Sequence, residues 1–402
     1  MRRFLRVAGW MMVVGRLTAG APALRAQEAL LPTSSWGAVP LFATWHFATP
    51  IAQTAGAVSD VQQLALPFRA QFNVTDQWVV DLSGAASSSS VRLVSGGATQ
   101  TLTMSGLSDL RVRLSGPIIG DAVRLTAGVN LPTGTTGLSA DGMTVLQTIA
   151  APALEMPVGA LGLGFGGTLG LVAAREAGSW ALAIGASAET RRAYTPIDLA
   201  LTSGPAVTTL TPGNALHLTL GATRALGDDR LALLVVADAY QKDELTTGAG
   251  SGPSTQVAYT LGPQVSALGQ LEVALPGWRQ AGGSLAVRYR SPFSDATGAS
   301  VSGSGGTYVE AAFTGVRGGA TGPALILGAD ARYHTGLPFT SALVGAAVSA
   351  VGATVGMELP AGATVVRLAA RAQYAHFDTG ATQSNGVGLS LVAAFAARAG
   401  AP

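Results

Sequence analysis

The stretch Gly106–Gly134 reads GLSDLRVRLSGPIIGDAVRLTAGVNLPTG, and it decides the fold class. Apolar and polar residues alternate along both halves, on either side of the turn-forming GPIIGD. A period of two predicts two antiparallel strands with one apolar and one polar face. The apolar face is continuous, and the polar face carries Arg111, Arg113 and Arg124. Such a hairpin is typical of a transmembrane barrel, which has lipid outside and water inside.

Composition limits the class of protein independently. The 402 residues are 11% charged and 48% hydrophobic, with a mean hydropathy of +0.38. A soluble domain normally has about 25% charged residues. With a net charge of +2, one lysine (Lys242) and no basic run, the chain offers nucleic acid no electrostatic surface. The absence of cysteine excludes a disulfide framework and thiolate metal sites.

The N-terminus has the pattern of an export signal. Three arginines precede the apolar run Val7–Val14, and small residues follow as far as Ala26. We therefore predict a signal peptide over residues 1–26 and a mature chain that starts near Gln27. A single membrane anchor is the alternative, but Arg16 ends the apolar run short of the roughly 20 residues that a spanning helix needs.

The alternation continues through the mature chain in sixteen segments of about ten to fourteen residues. Every second connection is short and rich in turn formers, while the others are longer and rich in Gly, Ser and Thr. Short turns at one rim and long loops at the other are typical of outer-membrane barrels. The predicted strands are 36–49, 62–74, 77–87, 104–115, 122–132, 159–173, 179–190, 213–225, 230–241, 263–275, 282–291, 306–317, 322–334, 347–359, 364–376 and 386–397.

These segments predict an all-β fold, a transmembrane antiparallel β-barrel of about sixteen strands. Residues 61–397 form the barrel, residues 27–60 form an N-terminal segment, and residues 398–402 form a C-terminal tail. The N-terminal segment is either the first strand or a plug inside the barrel. If segment 36–49 is a plug, the barrel has fourteen strands.

Aromatic residues support this assignment, because they lie on the apolar face at both ends of the strands. Two belts of aromatic residues, one at each membrane interface, are typical of membrane barrels. The last strand ends at Phe395, a position that the barrel-assembly machinery commonly reads, although seven residues follow it. Beside the short turns lie Phe72, Trp78, Trp180 and Phe395; beside the long loops lie Tyr289, Tyr333 and Tyr374.

A helical membrane protein is the main alternative, because Met156–Ala174 contains nineteen residues without a charge. Six glycines and Pro157 make a helix there costly, and its apolar residues recur with a period of two. Gly162, Gly164 and Gly167 formally match the dinucleotide fingerprint. That match lacks the buried strand, the following helix and the acidic residue that nucleotide binding requires.

The sequence predicts no enzyme and no cofactor. The motifs HExxH, GxSxG and GxxxxGK are absent, and the four histidines are scattered. A lipase built into the barrel wall would need a serine and a histidine paired at the lipid surface, and the sequence leaves that possibility open.

The polar face of the predicted strands indicates a lumen lined by charges of both signs. Two interpretations stay open: cross-strand ion pairs that stabilise the wall, and contacts with a solute at a constriction. The lumen-lining candidates are Arg111, Arg113, Arg124, Asp238, Glu272, Arg288, Arg290, Glu310, Asp330, Arg332, Arg367 and Arg371.

Pro67 lies inside the second predicted strand, where it cannot donate a ladder hydrogen bond. A bulge near the rim is one explanation. A local opening of the wall, through which an apolar solute leaves sideways into lipid, is the other.

Three motifs carry a resemblance to a known family. FNVTDQW at Phe72–Trp78, GLSDLR at Gly106–Arg111 and LTAGVNLPTG at Leu125–Gly134 are similar to successive strand motifs of the outer-membrane family associated with the meta-pathway of phenol degradation. The similarity covers mainly residues 60–190.

The resemblance implies a channel for passive uptake of small hydrophobic or aromatic molecules across the outer membrane of a Gram-negative-type bacterium. The implied partners are outer-membrane lipid, small hydrophobic solutes and the barrel-assembly machinery. The competing hypothesis is a structural or surface-binding barrel with a closed lumen.

Overall fold

The computed structural model describes residues 36–397 with short gaps. The predicted signal peptide, residues 1–26, and the tail, residues 398–402, lie outside the described residues. Within the described part, no helix is long and apolar enough to cross a membrane. The gaps are 54–55, 202–203, 250–254, 319–321, 337–346, 362–363 and 381–382.

The described chain is almost entirely β-structure. Apart from one α-helix and one 3-10 turn, its regular elements are β-strands. In chain order these are β1 (Trp36–Ala38), β2 (Leu41–Gln53), β3 (Gly56–Asn73), β4 (Val79–Ser95), β5 (Ala98–Leu107), β6 (Leu110–Ile119), β7 (Val123–Leu131), β8 (Gly166–Ala177), β9 (Trp180–Arg191), β10 (Tyr194–Leu201), β11 (Gly204–Thr211), β12 (Ala215–Leu226), β13 (Asp229–Tyr240), β14 (Lys242–Ala249), β15 (Thr255–Thr260), β16 (Gln264–Glu272), β17 (Trp278–Arg290), β18 (Ser294–Asp295), β19 (Gly306–Gly318), β20 (Ala324–Thr335), β21 (Ala347–Ala361), β22 (Thr364–Asp378) and β23 (Gln383–Ala397).

Sixteen antiparallel strands of the described chain close into a barrel. Each pairs with its neighbours in sequence, and β23 pairs with β1 and β2 to close the wall. Two barrel strands consist of two segments each, β1 with β2 and β5 with β6. The sixteen-stranded prediction is confirmed. The fourteen-stranded alternative is wrong, because residues 36–53 form the first wall strand.

The break between β1 and β2 has a covalent cause. Pro40 has no N–H to donate, so the ladder loses one hydrogen bond there. The neighbouring bonds keep the strand in register, since Val39 N–H donates to Pro67 O and Ala393 N–H donates to Pro40 O, each at 3.0 Å.

Long connections at one rim fold into a second, five-stranded sheet instead of irregular loops. Its order is β10-β11-β14-β15-β18, and its hairpins extend beyond the barrel strands that precede them. This rim corresponds to the outer face of outer-membrane barrels, where the longer connections lie.

The predicted connection 88–103 is wrong, because β4 and β5 continue through it as one hairpin. Gly96 and Gly97, with φ of 57° and 83°, form its two-residue turn, a conformation that glycine adopts without strain. In this hairpin the orientation of apolar and polar residues is the reverse of that predicted for the barrel strands. Most of its buried inward residues are apolar, with Ser89 as an exception, and Ser88, Thr101 and Thr103 point outward. The inward apolar residues are Val91, Leu93, Leu102 and Met104.

The outer surface of the rest of the barrel is apolar, as predicted. Leu216, Leu218 and Leu220 form one of many outward rows of exposed large hydrophobic residues. The predicted aromatic belts are confirmed in their orientation: Phe72, Phe395, Tyr289, Tyr333 and Tyr374 are all exposed on the outside. An apolar band bounded by aromatic residues matches a bilayer and its two interfaces.

The connection between β7 and β8, residues 132–165, folds into the barrel; we call it the plug. It contains helix α1 (Ala140–Ile149) and a 3-10 turn at Pro152–Leu154. The predicted strand 159–173 is therefore wrong in its first half. Its residues 159–165 belong to the plug, where Leu161 is buried in the apolar core.

Helix α1 forms because its N-terminus is capped and one face is buried. Ser139 Oγ accepts a hydrogen bond from Gly142 N–H at 3.1 Å, and Asp141 lies in the first turn. Val145 and Ile149, four residues apart, lie in the apolar core that the helix shares with β4 and β5. Burial of each such side chain stabilises the packed state by about 1.5–3 kcal/mol.

The interior of the barrel is therefore not a uniformly polar lumen. On the side of β2 to β5 and β21 to β23, inward apolar residues pack against the plug in one continuous core. Trp45 stacks on Phe47, with ring centroids 6.3 Å apart, and Phe377 meets both rings edge-on.

Candidate functional site: the plug and the lumen

Asp109 attaches both ends of the plug to the wall. It lies at the break between β5 and β6, where the strand turns its side chain inward and buries it. Its carboxylate accepts hydrogen bonds from Gly134 N–H at 2.9 Å and from Leu163 N–H at 2.6 Å. Residue 134 lies in the first leg of the plug and residue 163 in the last, so one carboxylate fixes both legs.

Asn130, at the end of β7, completes this hinge. Its side-chain amide donates to Asp109 Oδ2 at 2.8 Å and to Gly164 O at 2.7 Å. Gly134 is required for the close approach of the two legs: a Cβ there would lie 2.6 Å from Asp109 Oδ1 and 2.6 Å from Gly162 Cα. The GLSDL and GVNLPTG motifs thus meet in space at the hinge of the plug.

The plug is held on one side of the barrel by polar contacts with the wall. Gln63 of β3 pairs with the backbone of Val158 through two hydrogen bonds, of 2.7 and 2.8 Å. Trp45 Nε1–H of β2 donates to Leu154 O at 2.7 Å. Each contact satisfies a backbone group of the plug that would otherwise be buried without a partner.

Glu155, which follows the 3-10 turn, carries the main electrostatic contact of the plug. Its backbone is left-handed, with φ of 49°. Its buried carboxylate pairs with Arg332 of β20 and, at 2.7 Å, with Arg371 of β22. Arg371 also pairs with Asp330 at 2.5 Å, and Arg332 donates to Ala153 O at 3.1 Å. The structure therefore brings the candidates Asp330, Arg332 and Arg371 together around a residue of the plug.

Other candidates form ion pairs within the wall. Asp81 accepts from Arg69 at 2.6 Å and from the candidate Arg113 at 3.0 Å. Near the short-turn rim, Glu358 pairs with the candidate Arg367 at 2.6 Å and with Arg279. For Arg113 and Arg367 the structure thus favours the stabilising interpretation over solute contact.

A row of hydrogen-bonded polar side chains lies on the inner face of the wall, away from the residues that hold the plug. His217 Nδ1 lies 2.8 Å from the candidate Asp238, whose other oxygen accepts from Gln264 at 3.0 Å. Gln264 Oε1 in turn accepts from the candidate Arg290 at 2.9 Å. This row links β12, β13, β16 and β17 without interruption.

Arg288 and Glu310 lie next to this row. Arg288 lies over the ring of Tyr308, 4.9 Å from its centroid, and the Tyr308 hydroxyl donates to Glu310 at 2.5 Å. Glu310 is directly opposite Ala286 and Arg332 in the ladder. The nearness of Arg288 to Glu310 that the sequence suggests is thus mediated by Tyr308.

Three candidates lie apart from these clusters. Arg111 interacts electrostatically with Glu189 and Asp109, Arg124 faces Pro117 and Val172 in its ladders, and Glu272 is opposite Arg230. Arg111 thus lies beside the hinge of the plug, whereas Arg124 and Glu272 do not share a site with the residues that hold the plug.

Pro67 lies in a ladder that stays in register on both sides. It is opposite Ala85 of β4, and its carbonyl accepts from Val39 N–H. The register shift in β3 is at Val58/Asp60 and not at Pro67, so the bulge explanation is wrong. The lateral opening beside Pro67 stays a prediction.

Above the barrel, at the mouth, Asp243 joins the second sheet to the wall. It accepts a hydrogen bond from Gly213 N–H at 2.6 Å and bonds to the hydroxyl of Tyr259. Burial raises the pKa of the Asp243 carboxyl above its ordinary value, and burial beside Asp243 raises the pKa of Tyr259.

The sequence interpretation missed the residues that hold the plug: Asp109, Asn130, Gln63, Trp45 and Glu155. One signal was present. Residues 132–165 are long and mostly apolar and contain no basic residue, which is unlike a solvated loop. A long apolar connection must bury its side chains somewhere, and the barrel interior is the nearest place.

Among the described residues, no group of three His, Asp or Glu side chains is placed to hold a metal ion. The described interior thus presents ion pairs, hydrogen-bonded amides and aromatic rings.

Comparison with known families identifies the chain. The family model described as "Putative MetA-pathway of phenol degradation" matches residues 51–270, more than half of the sequence. The chain belongs to this family. The matched region contains the plug, its hinge and all three motifs that carry the resemblance. No curated protein matches the chain.

Solved structures of outer-membrane proteins are similar at low identity. OccK2 (OpdF) of Pseudomonas aeruginosa, in complex with glucuronate, is 12% identical over 90% of this chain and 96% of its own, with a TM-score of 0.44. The toluene transporter TodX of P. putida is 12% identical over 94% and 92%, with a TM-score of 0.40. OmpT of Vibrio cholerae is 10% identical over 90% and 99%, with a TM-score of 0.38.

The closed barrel, its apolar outer band and its family place the protein in the outer membrane of a Gram-negative-type bacterium. A closed barrel has no free sheet edge, so its wall backbone groups pair with neighbouring strands, which is what a strand needs in order to lie in lipid.

Proposed function

We propose that the protein is a channel for the passive uptake of small hydrophobic or aromatic molecules. Sixteen strands are enough to enclose a passage in addition to side chains. The observation that carries the proposal is the one-sided attachment of the plug. Its anchors Trp45, Gln63, Arg332 and Arg371 lie on β2, β3, β20 and β22, which are close together around the barrel.

The wall formed by β9, β12, β13 and β16 lies across the barrel from these anchors. We infer that solutes pass between this wall and the plug. Many inward residues there are small or polar, such as Ser187, Thr219 and Ser266, although Leu234 and Val236 also face inward; the anchored side is filled by apolar side chains. The family to which the chain belongs supports an aromatic solute.

Conductance in planar lipid bilayers tests the proposal. We expect the refolded protein to form discrete open channels, and proteoliposomes that contain it to take up a small aromatic solute faster than protein-free vesicles. A heat-modifiable, folded barrel that neither conducts nor speeds uptake would favour the competing hypothesis, a structural or surface-binding barrel with a closed lumen.

A further inference from the structure

Two arginines and two aromatic rings form a compact patch on the inward face of β17, β19 and β20. Arg288 and Arg290 are successive inward residues of β17. Tyr308 lies opposite Arg288, and His334 lies opposite Tyr308. The rings of Tyr308 and His334 meet edge-on, with centroids 5.7 Å apart. The side chains of Arg288, Tyr308 and His334 thus form one continuous row across three strands.

Arg290 carries a positive charge that no carboxylate of the described chain neutralises through an ion pair. Its hydrogen-bond partners are neutral: the amide oxygen of Gln264, at 2.9 Å, and the hydroxyl of Tyr240. The nearest carboxylate in the row, Asp238, is already bonded to His217 and Gln264. Partial burial without a counter-charge is unfavourable for a guanidinium, so the site favours an anion.

Three nitrogen atoms in and beside this patch lack a hydrogen-bond partner among the described residues. They are Arg290 Nε, Arg332 Nε and His334 Nδ1. Arg332 and His334 are only 5% and 6% exposed. Arg288, Arg290 and Arg332 all lie within electrostatic range of His334. Buried polar nitrogens without a partner are costly, and a ligand that offers acceptor oxygens would relieve that cost.

We propose that this patch binds a small aromatic carboxylate, with Arg290 holding the carboxylate and the half-buried Tyr240 contacting the ring. A guanidinium pairs with a carboxylate through two parallel hydrogen bonds, and tyrosine rings stack on planar ligands. A simple phenol is neutral at pH 7, because a phenolic hydroxyl has a pKa of about 10. The charge of Arg290 therefore selects a carboxylate over an alcohol or a phenol.

This inference rests on the proposed function, because it names the class of solute that the channel takes. The patch borders the passage: Arg332, beside His334, is bonded to Ala153 O of the plug, while Arg288 and Arg290 are only half-buried. A carboxylate that moves past the plug would meet these two arginines.

Isothermal titration of the detergent-folded protein with sodium benzoate tests the site. Benzyl alcohol and sodium acetate are the matched probes. Benzyl alcohol keeps the aromatic ring without the carboxylate, and acetate keeps the carboxylate without the ring. We expect saturable benzoate binding that is at least about tenfold tighter than the binding of either probe. Arg290→Gln should weaken benzoate binding by about tenfold or more. Arg124→Gln, which removes an inward arginine outside the patch, should change it by less than about twofold.

Equal benzoate affinity of the wild type and Arg290→Gln would overturn the proposal, and so would equal affinity for benzoate and benzyl alcohol. If Arg290→Gln does not fold to a heat-modifiable barrel, Arg290→Lys keeps the charge and removes the paired hydrogen bonds. It should bind benzoate more weakly than the wild type does.

Bilayer conductance separates this result from the proposed function. A conducting barrel without benzoate binding retains the channel and rejects the site. Benzoate binding by a barrel that does not conduct retains the site and rejects the channel.

Discussion

Glu155 of the plug and Arg332 of β20 form an ion pair in which both side chains are almost completely buried, at 1% and 2% exposure. The two residues are distant in sequence and meet only because the plug enters the barrel. Removal of one partner of a buried pair leaves the other charge without compensation, which costs about 3–5 kcal/mol.

We therefore expect Glu155→Gln to loosen the plug. Limited proteolysis of the folded barrel should cut within residues 132–165 in the variant and not in the wild type, and channel conductance should rise. Glu176→Gln, at the exposed end of β8, is the control, and it should behave as the wild type does. The double variant Glu155→Leu/Arg332→Met should regain protection, because it removes both charges at once. Full protection of the single variant would contradict this role of Glu155.

The hinge gives a second prediction. Asp109→Asn keeps the size of the side chain but leaves one acceptor oxygen for the two backbone N–H groups and the Asn130 amide that Asp109 now binds. Each hydrogen bond to a charged group contributes about 1.5–3 kcal/mol. We expect noisy, frequently changing conductance levels in single-channel recordings, with barrel assembly preserved. Asp76→Asn, in an exposed short turn, should leave the recordings unchanged. Steady wild-type levels in Asp109→Asn would show that the plug does not depend on this carboxylate.

The orientation of the wall gives a third prediction, tested with neighbouring residues of β17. Leu285 points outward and is exposed, while Ser284 points inward. An arginine on the lipid face near the bilayer midplane costs about 2–4 kcal/mol. Leu285→Arg should therefore reduce the fraction of protein that folds into vesicles, and Ser284→Arg should not. The measurement is the folded fraction by gel mobility without heating. Equal folding of both variants would mean that the lipid face is misassigned.

Pro67 gives a fourth prediction, on the lateral route. Val39 O faces the ring nitrogen of Pro67, so Pro67→Val supplies the missing N–H and should add about 0.5–1.5 kcal/mol of stability. If apolar solutes leave through the wall here, uptake of an aromatic hydrocarbon into proteoliposomes should slow while ion conductance stays the same. Leu66→Val, on the outward neighbour, controls for a change of side chain alone. Unchanged uptake in a well-folded Pro67→Val variant would leave the axial passage as the only route.

The sequence by itself determined the barrel. The period of two in β6 and β7 follows from side chains that alternate between lipid and interior, and no tertiary information is needed to detect it. The spacing of turn formers determined the strand number for the same reason. The aromatic belts were predictable because residues such as Tyr289 and Phe72 respond to the bilayer, a solvent whose geometry is known in advance.

The prediction from sequence failed where a strand is not bounded by lipid on one face and water on the other. At Val91 and Leu102 the inward face is apolar because the plug covers it, and the outward face is polar, so the expected rule is reversed. The serine-rich outward face therefore resembled a loop. Only the position of the plug shows that this hairpin belongs to the barrel wall and packs its apolar face against the plug inside.

The tertiary structure alone decided which of the described charged side chains form ion pairs and which have only neutral hydrogen-bond partners. Asp109 meets Gly134 and Leu163, and Glu155 meets Arg332 and Arg371, because a chain segment returns into the barrel at a depth that no local pattern encodes. Arg290 is left with neutral partners for the same reason. Alternation shows which residues point inward. The strength of an electrostatic interaction, however, depends on distances of a few ångströms between groups that are far apart in sequence. Those distances are set only once the barrel has closed around its plug.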